Sequence, residues 1–328
     1  MNTLSPLDSW MIRLGGSLLS RSGRAASLLV MIYHRVFVER DALLASEPSA
    51  ADFSAQMRLL ARNFQPLPLL EAVGRLRAGT LPARAVCVTF DDGYANNCDV
   101  ALPILREHGV PATVFVAPGF LNGGCMFNDI VIEAMRAAPA DFDLRDLGFG
   151  RYQLSDAASR MRAVSEVLSK AKYLEPEARG HTVRAILGRS GAPLPTHLMM
   201  TDEQVRTLAR AGIEIGAHTM NHPILASVDD ATARKEILES KKRLEEITGA
   251  PVRSFAYPNG KPEQDYKRVH VTMAREAGFE LALSTSWGAA SASSDLFQIP
   301  RVAPWDVTAR RYAARLVTSY RQRQYRVA

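Results

Sequence analysis

Two short segments of this sequence carry residues that could bind a metal ion and move a proton. Residues 89–93 read Thr-Phe-Asp-Asp-Gly, and residues 218–222 read His-Thr-Met-Asn-His. Two adjacent carboxylates and two imidazoles suit one divalent metal with an acid/base group beside it. Three nitrogen or oxygen ligands and an open position are the layout of a catalytic zinc site. The two segments together therefore predict a metal-dependent enzyme.

Each segment alone has a simpler explanation. Asp-Asp-Gly is typical of a turn, because Gly adopts positive φ and Asp caps nearby amides. His-x-x-x-His within a helix only places two imidazoles on one face. However, each segment directly follows an apolar run, at 85–88 and at 212–216. Because α/β folds carry their chemistry at the carboxyl ends of strands, the combination favours a catalytic site.

Short apolar runs alternate with helical patterns along the chain. The predicted strands lie near 28–33, 85–90, 112–116, 213–217, 253–257, 280–284 and 297–300. This alternation indicates a parallel sheet covered by helices, and seven strands suggest closure into a barrel. The third and fourth strands are separated by about a hundred residues, far more than one crossover needs. We therefore expect a helical insertion at about 125–200, acting as a lid or substrate-selecting wall; the alternative is an insertion that only packs on the outside.

Composition limits the classes of function. The 328 residues are 47% apolar, which suffices for a sizeable core in one large domain or two small ones. The net charge of +6 is too weakly concentrated to indicate a nucleic-acid partner. The tail at 306–328 is basic and is expected to form an amphipathic helix, with attraction to anionic lipid or an acidic glycan as the alternative. Three cysteines without a CxxC pair imply no disulfide framework and fit a reducing compartment.

The N-terminal segment at 1–27 does not resemble a secretory signal. Arg13 interrupts its apolar run, and Arg21 and Arg24 follow closely. No apolar stretch reaches the length of about 18 residues that a membrane span requires. We therefore expect a cytoplasmic protein, or one peripheral at the inner face of the membrane. Residues 4–20 could form a short amphipathic helix that packs against the barrel or lies on a membrane surface.

Two further segments complete a recognisable set. Residues 255–260 read Phe-Ala-Tyr-Pro-Asn-Gly, and residues 31–36 read Met-Ile-Tyr-His-Arg-Val. With the first two segments, these resemble the motifs of the NodB-homology polysaccharide deacetylases, carbohydrate esterase family 4, in the branch that contains exopolysaccharide deacetylases. The resemblance covers roughly 28–305, apart from most of the insertion. It implies an α/β fold, a distorted (β/α)7 barrel of NodB-homology type with a helical insertion. It also implies a hydrolase that removes N- or O-acetyl groups from sugars with one divalent metal, Zn²⁺ first of all, or Co²⁺ or Ni²⁺.

The resemblance implies a role for each matching residue. Asp92, His218 and His222 match the metal ligands. Asp91 matches the general base, which takes a proton from metal-activated water. The amide after the proline of the third motif, here that of Asn259, matches the donor that stabilises the oxyanion.

The chain departs from the family pattern at two positions. The third motif usually carries an arginine that orients the base, whereas this chain has Ala256; Arg301, after the last strand, could supply that charge from another direction. The last motif usually contains Leu-x-His, whose histidine is the general acid, but residues 281–285 contain no histidine. His34, at the end of the first strand, is the best substitute as the acid or as another group at the metal. The alternative is a structural histidine.

Other residues are candidates for contacts with the substrate. Tyr257 and Pro258 belong to the loop that carries the oxyanion donor. Asn97 follows the Asp-Asp-Gly segment and could hold substrate, although helix capping explains it equally well. Trp287 and Trp305 lie near the last strands and could stack on a sugar ring, with core packing as the alternative.

The leading hypothesis is a metal-dependent enzyme that removes acetyl groups, N-acetyl first of all, from an amino-sugar-containing polysaccharide or its precursor. That acetylated glycan is the expected partner. One alternative is an amidohydrolase that acts on a cyclic imide or ureide with the same barrel. Another is a catalytically silent glycan-binding protein, suggested by the missing arginine and histidine. The intact carboxylates and imidazoles disfavour the silent protein, because a dead site has no evident need for a free base beside the metal.

Overall fold

The computed structural model describes residues 4–303, Asp306 and 308–328. The chain divides into two units. The barrel unit comprises Met1–Glu39, Glu47–Leu121 and Met200–Ala328, and the helical unit comprises Arg40–Ser46 and Asn122–Met199. Among the described residues, no helix is both long and apolar enough to cross a membrane.

The strands follow the apolar runs of the sequence. They are β1 (Leu29–Tyr33), β2 (Gln65–Pro66), β3 (Ala85–Phe90), β4 (Ala112–Val116), β5 (Asp141–Asp143), β6 (Arg151–Gln153), β7 (Glu214–Ala217), β8 (Ser254–Ala256), β9 (Leu281–Trp287) and β10 (Ile299–Arg301). Every residue of β3 and β4 is buried. Strands covered on both faces read as continuous apolar runs, which is why the sequence located them.

The main sheet is parallel and nearly closed. Its strands lie in the order β1-β3-β4-β7-β8-β9-β10, with β2 beside β3, and all these pairs are parallel. Beyond β10, Val302 returns to β1 through a parallel bridge to Met31. The Val302 amide donates to the Val30 carbonyl at 2.8 Å. The predicted seven-stranded α/β barrel of NodB-homology type is therefore confirmed.

The strands β8, β9 and β10 differ most from their predicted boundaries. β8 ends at Ala256, because Pro258 has no amide to continue the ladder. β9 continues to Trp287, where it pairs with Arg301 across an irregularity in register. The last strand begins only at Ile299.

Eleven α-helices are present in the described part of the chain, and six of them begin at a residue whose side chain caps the first turn. They are α1 (Pro6–Ser20), α2 (Ala50–Asn63), α3 (Leu69–Ala78), α4 (Leu102–His108), α5 (Phe127–Ala137), α6 (Ala157–Ala171), α7 (Pro176–Ser190), α8 (Asp202–Arg210), α9 (Asp230–Thr248), α10 (Arg268–Glu276) and α11 (Ala309–Ser319). Thr201 and Gln204 form a capping box at the start of α8. Gly249 ends α9 with φ of 69°, a left-handed conformation that favours glycine.

The helical unit contains α5, α6, α7 and the antiparallel pair β5–β6. It has its own apolar core, which includes Val131, Met135, Phe142, Val167 and Ile186. The insertion expected at about 125–200 falls in this part of the sequence, and its role as a lid or wall stays a prediction.

Candidate active site

Asp91 and Asp92 lie in the turn that directly follows β3. The Asp91 amide donates to the carbonyl of Tyr33, at the end of β1, at 2.9 Å. Asp92 and Gly93 have positive φ values of 77° and 89°. A Cβ atom on residue 93 would lie only 2.9 Å from Cγ1 of Val116 in β4, so glycine is required there. The Asp-Asp-Gly segment is thus a turn, and that turn carries both carboxylates at the carboxyl end of the sheet.

His218 and His222 lie in an irregular loop after β7 rather than in a helix. Thr219 and His222 have positive φ values of 59° and 53°. Glu236 of α9 holds the loop, accepting from the Asn221 amide at 2.7 Å and from the Asn221 side chain at 2.8 Å. The helical explanation of the His-x-x-x-His spacing is therefore wrong for this chain.

Asp92, His218 and His222 each bring one ligand atom to the same place. These three atoms lie within 4.8 Å of one another. Oδ1 of Asp92 is 3.5 Å from Nε2 of His218 and 3.4 Å from Nε2 of His222. Two ligands about 2.1 Å from a tetrahedral ion lie about 3.4 Å apart, so the spacing fits Zn²⁺. The same nitrogen and oxygen donors also suit Co²⁺ and Ni²⁺.

A main-chain contact orients His218 for this purpose. Its Nδ1 lies 2.7 Å from the carbonyl oxygen of Ala256. A carbonyl can only accept, so Nδ1 carries the hydrogen and Nε2 is left as the ligand atom. Ala256 stands where the family usually has an arginine, and it contributes its main chain to the site.

The electrostatics of the three residues suit a metal ligand set. Burial lowers the pKa of His222 to about 4, so its imidazole is neutral at neutral pH. Burial also disfavours charge on His218, but Asp91 and Asp92 outweigh burial and the pKa of His218 is raised. Burial acts to raise the pKa of Asp92, yet the hydrogen bond from His218 and the charge that His222 carries in acid hold the pKa of Asp92 well below its usual value. A proton on His218 therefore competes with a metal ion.

Arg301 binds Asp91 through both carboxylate oxygens. Its Nη1 donates to Oδ1 at 2.7 Å, and its Nη2 donates to Oδ2 at 2.8 Å. Its Nε donates to the carbonyl of Ser284 at 3.0 Å. Burial alone would raise the pKa of Asp91, but the charges of Arg301 and His218 outweigh it, and the pKa is lowered. Asp91 is therefore ionised at neutral pH, while its role as the base stays a prediction.

His34 lies near the two carboxylates but at the surface. Its side chain is 43% exposed, and its Nδ1 is 4.0 Å from Oε1 of Glu47. The charge of protonated His34 would favour the ionised forms of Asp91 and Asp92. Among the described residues, the His34 side chain makes no hydrogen bond to either carboxylate. Its role as the general acid stays a prediction.

Asn97 is buried beneath the loop that follows β1. Its Nδ2 donates to the main-chain carbonyl of His34 at 2.9 Å. Its Oδ1 accepts no hydrogen bond from the described residues, so the side chain does not cap the helical turn Asn97–Ala101. The amide nitrogen thus positions the backbone of His34. The use of Asn97 in holding substrate stays a prediction.

The loop after β8 carries the candidate oxyanion donor. Tyr257 is fully buried and donates its hydroxyl to the carbonyl of Phe297 at 3.0 Å. The Tyr257 side chain therefore supports the loop from the core together with buried Pro258. The expected contact of these two residues with substrate stays a prediction. Asn259 has φ of 56°, and its carbonyl accepts from Oγ1 of Thr285 at 2.6 Å. Within the described part of the chain, the Asn259 amide has no acceptor, which leaves it available to a ligand.

Of the two tryptophans that could stack on a sugar ring, the structure describes Trp287 but not Trp305. Trp287 ends β9, at the same end of the sheet as the candidate metal ligands, and it is partly buried against the main core. Its use as a sugar platform stays a prediction. Trp305 lies outside the described residues.

Two contributors to the site were not found from the sequence. Glu236 lies among many charged residues of α9, and no local pattern separates it from its neighbours. Ser284 contributes only its carbonyl, which no side-chain pattern can signal.

The sequence profile of the polysaccharide deacetylase family matches residues 78–144 and 177–282, which together make up more than half of the chain. The chain belongs to the polysaccharide deacetylase family. It is accordingly a carbohydrate deacetylase. The matched segments of this deacetylase contain Asp91, Asp92, His218 and His222, whereas His34 and Arg301 fall outside them.

Individual relatives agree with this assignment. The deacetylase is 22% identical over 284 residues to a putative polysaccharide deacetylase, YxkH, of Bacillus subtilis (strain 168), covering 86% of this chain and 73% of the relative. The solved structure of the Streptococcus pyogenes deacetylase PplD in complex with acetate matches with a TM-score of 0.59 and 18% identity, covering 89% of this chain and 98% of PplD. IcaB from Ammonifex degensii matches with a TM-score of 0.55 and 19% identity, covering 90% and 97%. The structural matches support the fold.

Proposed function

We propose that this deacetylase removes N-acetyl groups from an amino-sugar-containing polysaccharide or its precursor, with the help of one divalent metal ion. The proposal rests on one observation: the ionised carboxylate of Asp91 lies beside residues whose spacing fits a metal ion. Oδ2 of Asp91 lies 3.9 Å from Nε2 of His218, but Asp91 itself is held by Arg301. A protein that only binds glycan has no evident need for this buried ion pair beside a metal site.

The metal would be held by Asp92, His218 and His222. When bound, the ion would polarise the acetyl carbonyl and lower the pKa of water at the site. Membership of a generally metal-dependent family supports this part of the proposal. Zn²⁺ is the ion we favour, with Co²⁺ and Ni²⁺ as alternatives that the same donors accept.

Asp91 would accept the proton of the attacking water. Its lowered pKa keeps it ionised, and the fork of Arg301 fixes the plane of its carboxylate. The amide of Asn259 would donate to the acetyl oxygen as negative charge builds on it. The departing amine then needs a proton, and His34 is the candidate donor, since its exposure allows it to regain a proton from solvent.

Acetate release tests the proposal directly. The substrates are N-acetylglucosamine oligomers and an O-acetylated xylan, and bound metal is measured in parallel by elemental analysis. We expect the Asp91→Asn variant to lose about 10²- to 10⁴-fold in rate while it retains its metal. His222→Ala should lose both metal and activity. His181→Ala changes a 71% exposed histidine and should alter neither, which makes it the matched control.

The same assay separates the alternatives. His34→Ala should slow release from the N-acetyl substrate more than from the ester, because an amine leaving group depends more on protonation. Full activity of Asp91→Asn would contradict the role of Asp91 as the base. A chain that binds one metal, releases no acetate from either substrate and opens a hydantoin ring would favour the cyclic-imide hydrolase instead.

A further inference from the structure

Helix α1 exposes a stripe of large apolar side chains. Leu7, Met11, Leu14 and Leu18 recur at helical spacing on one face, with Trp10 beside them, and each is between 46% and 65% exposed. Of the 13 large apolar side chains that are exposed in the described part of the chain, 5 lie on this one helix. Scattered exposed apolar residues are ordinary, whereas a continuous stripe marks a contact surface.

The opposite face of α1 already packs within the barrel unit. Ile12 and Leu19 pack against the main hydrophobic core. Gly16 lies so close to Arg84 that an added Cβ would be 3.1 Å from Cγ of that arginine. The helix is therefore held in place by its inner face, and the fold does not account for the apolar character of its outer face.

Arginines lie on α1 and on the two helices that neighbour it. Arg13 is exposed on α1 itself. Arg58 and Arg62 of α2 line a cleft beside the first turns of α1. On the other side, Arg310 of α11 lines a second cleft and donates to Asp8 at 2.7 Å. Asp8 is the single acidic residue of α1, so the border of the stripe carries net positive charge.

We propose that α1 docks this protein on an anionic membrane surface, with the apolar stripe among the acyl chains and the arginines at the phosphates. An apolar face with Leu and Trp beside basic residues is the chemistry of an interfacial helix. Its 15 residues extend about 22 Å, less than the hydrocarbon core of about 30 Å, so it lies along the surface.

The charge around the stripe favours an anionic membrane over a second copy of the chain as its partner. A symmetric pairing through α1 would bring the bordering arginines of two copies together, which like-charge repulsion disfavours. Anionic headgroups complement the same arginines and strengthen the contact.

Flotation of the full chain with lipid vesicles tests the proposal. The vesicles contain phosphatidylcholine alone, or phosphatidylcholine with about 30% phosphatidylglycerol. We expect the wild type to float with the anionic vesicles far more than with the neutral ones. Binding should weaken as NaCl rises from about 0.1 M to about 0.5 M, because salt screens the arginines.

Substitutions on α1 and on α9 test whether the apolar stripe makes the contact with the vesicles. The double variant Leu14→Gln, Leu18→Gln should bind the anionic vesicles about tenfold or more weakly, because two leucines no longer enter the acyl region. Leu238→Gln changes a side chain that is 44% exposed on α9, and it should leave binding unchanged. Thermal unfolding and acetate release should not change in either variant, which verifies the fold independently of vesicle binding.

Three outcomes overturn the proposal. They are a wild type that binds no anionic vesicle, a double variant that binds as well as the wild type, and a wild type that dimerises in solution through the stripe without binding vesicles. The last result would assign the stripe to a second copy. None of these outcomes depends on the proposed reaction, since vesicle binding is measured without substrate.

Discussion

Replacing Arg301 by methionine tests how the site keeps Asp91 ionised. The change removes the guanidinium and leaves a side chain that packs among apolar neighbours. Arg301 has no exposed side-chain surface, and Asp91 is 3% exposed. Arg253 offers a matched control, because it binds Glu280 through a similar fork but both side chains are about half exposed. The two variants therefore differ mainly in the burial of the carboxylate that loses its partner.

The expected loss of stability follows from that burial. Removing one partner of a buried ion pair costs about 3–5 kcal/mol, since the other charge remains buried and uncompensated. Removing one partner of an exposed pair costs about 0–1 kcal/mol. At about 2 °C per kcal/mol for a large chain, Arg301→Met should unfold about 6–10 °C lower than the wild type. Arg253→Met should unfold within about 2 °C of it.

The pH dependence of this loss has a defined sign. In the wild type, the lowered pKa of Asp91 stabilises the fold above the usual carboxyl pKa of about 4, and this stabilisation disappears as pH falls through the lowered value. Without Arg301, burial dominates and the pKa of Asp91 rises above its usual value. At pH values between the two pKa values, Asp91 is protonated in the variant and ionised in the wild type. The free energies of unfolding of the wild type and of Arg301→Met therefore differ most near neutral pH, and this difference becomes smaller in acid.

Denaturant unfolding at pH 7 and at about pH 5 measures these differences, and acetate release measures their catalytic effect. We expect Arg301→Met to lose at least about 10²-fold in rate while it retains metal. Arg301→Lys should recover stability better than rate, because lysine restores the charge without the planar fork. The reasoning is refuted if Arg301→Met and Arg253→Met unfold within about 1 kcal/mol of each other.

Five further changes test other parts of the site. Gly93→Ala should destabilise the fold by about 1–3 kcal/mol in thermal unfolding, because its φ is positive and its Cβ would clash with β4. Asn259→Gly should preserve acetate release and raise the stability slightly, since glycine keeps the main-chain donor and adopts positive φ freely. Glu236→Gln should weaken metal affinity about tenfold in calorimetric titration, because it loosens the Asn221 loop. Removal of the bound metal by a chelator should lower the unfolding temperature, because a ligand that binds only the folded state stabilises it. Metal affinity should fall from pH 7.5 to about 5.5, because the raised pKa of His218 lets protons compete.

The barrel was predictable because its strands are buried on both faces. Continuous apolar residues in β3 and β4 leave few alternatives to a central parallel strand. The carboxyl ends of such strands meet at one edge, so the positions of Asp92 and His218 followed from the same pattern. The ends of strands were less predictable, since β9 continues through the polar residues Thr285 and Ser286 to Trp287, which pairs with Arg301 of β10.

The orientation of individual side chains was not predictable. Tyr257 belongs to a motif that borders the site, but its ring stacks on Tyr266 in the core, with ring centroids 4.0 Å apart. Asn97 follows the Asp-Asp-Gly turn, and its amide nitrogen binds the carbonyl of His34. A sequence pattern places a residue in a loop, whereas packing decides which side of the loop the side chain occupies.

Backbone strain links these observations. Asp92, Thr219, His222 and Asn259 all have positive φ, and they are half of the eight non-glycine residues with positive φ in the described chain. Such conformations cost about 1–3 kcal/mol each and persist only where the surrounding structure enforces them. Here the enforcing contacts are visible, because Val116 crowds the first turn and Glu236 anchors the second. The packing of the barrel therefore holds these loop backbones in the conformations that bring the three candidate metal ligands together. The same packing leaves the Asn259 amide without an acceptor among the described residues.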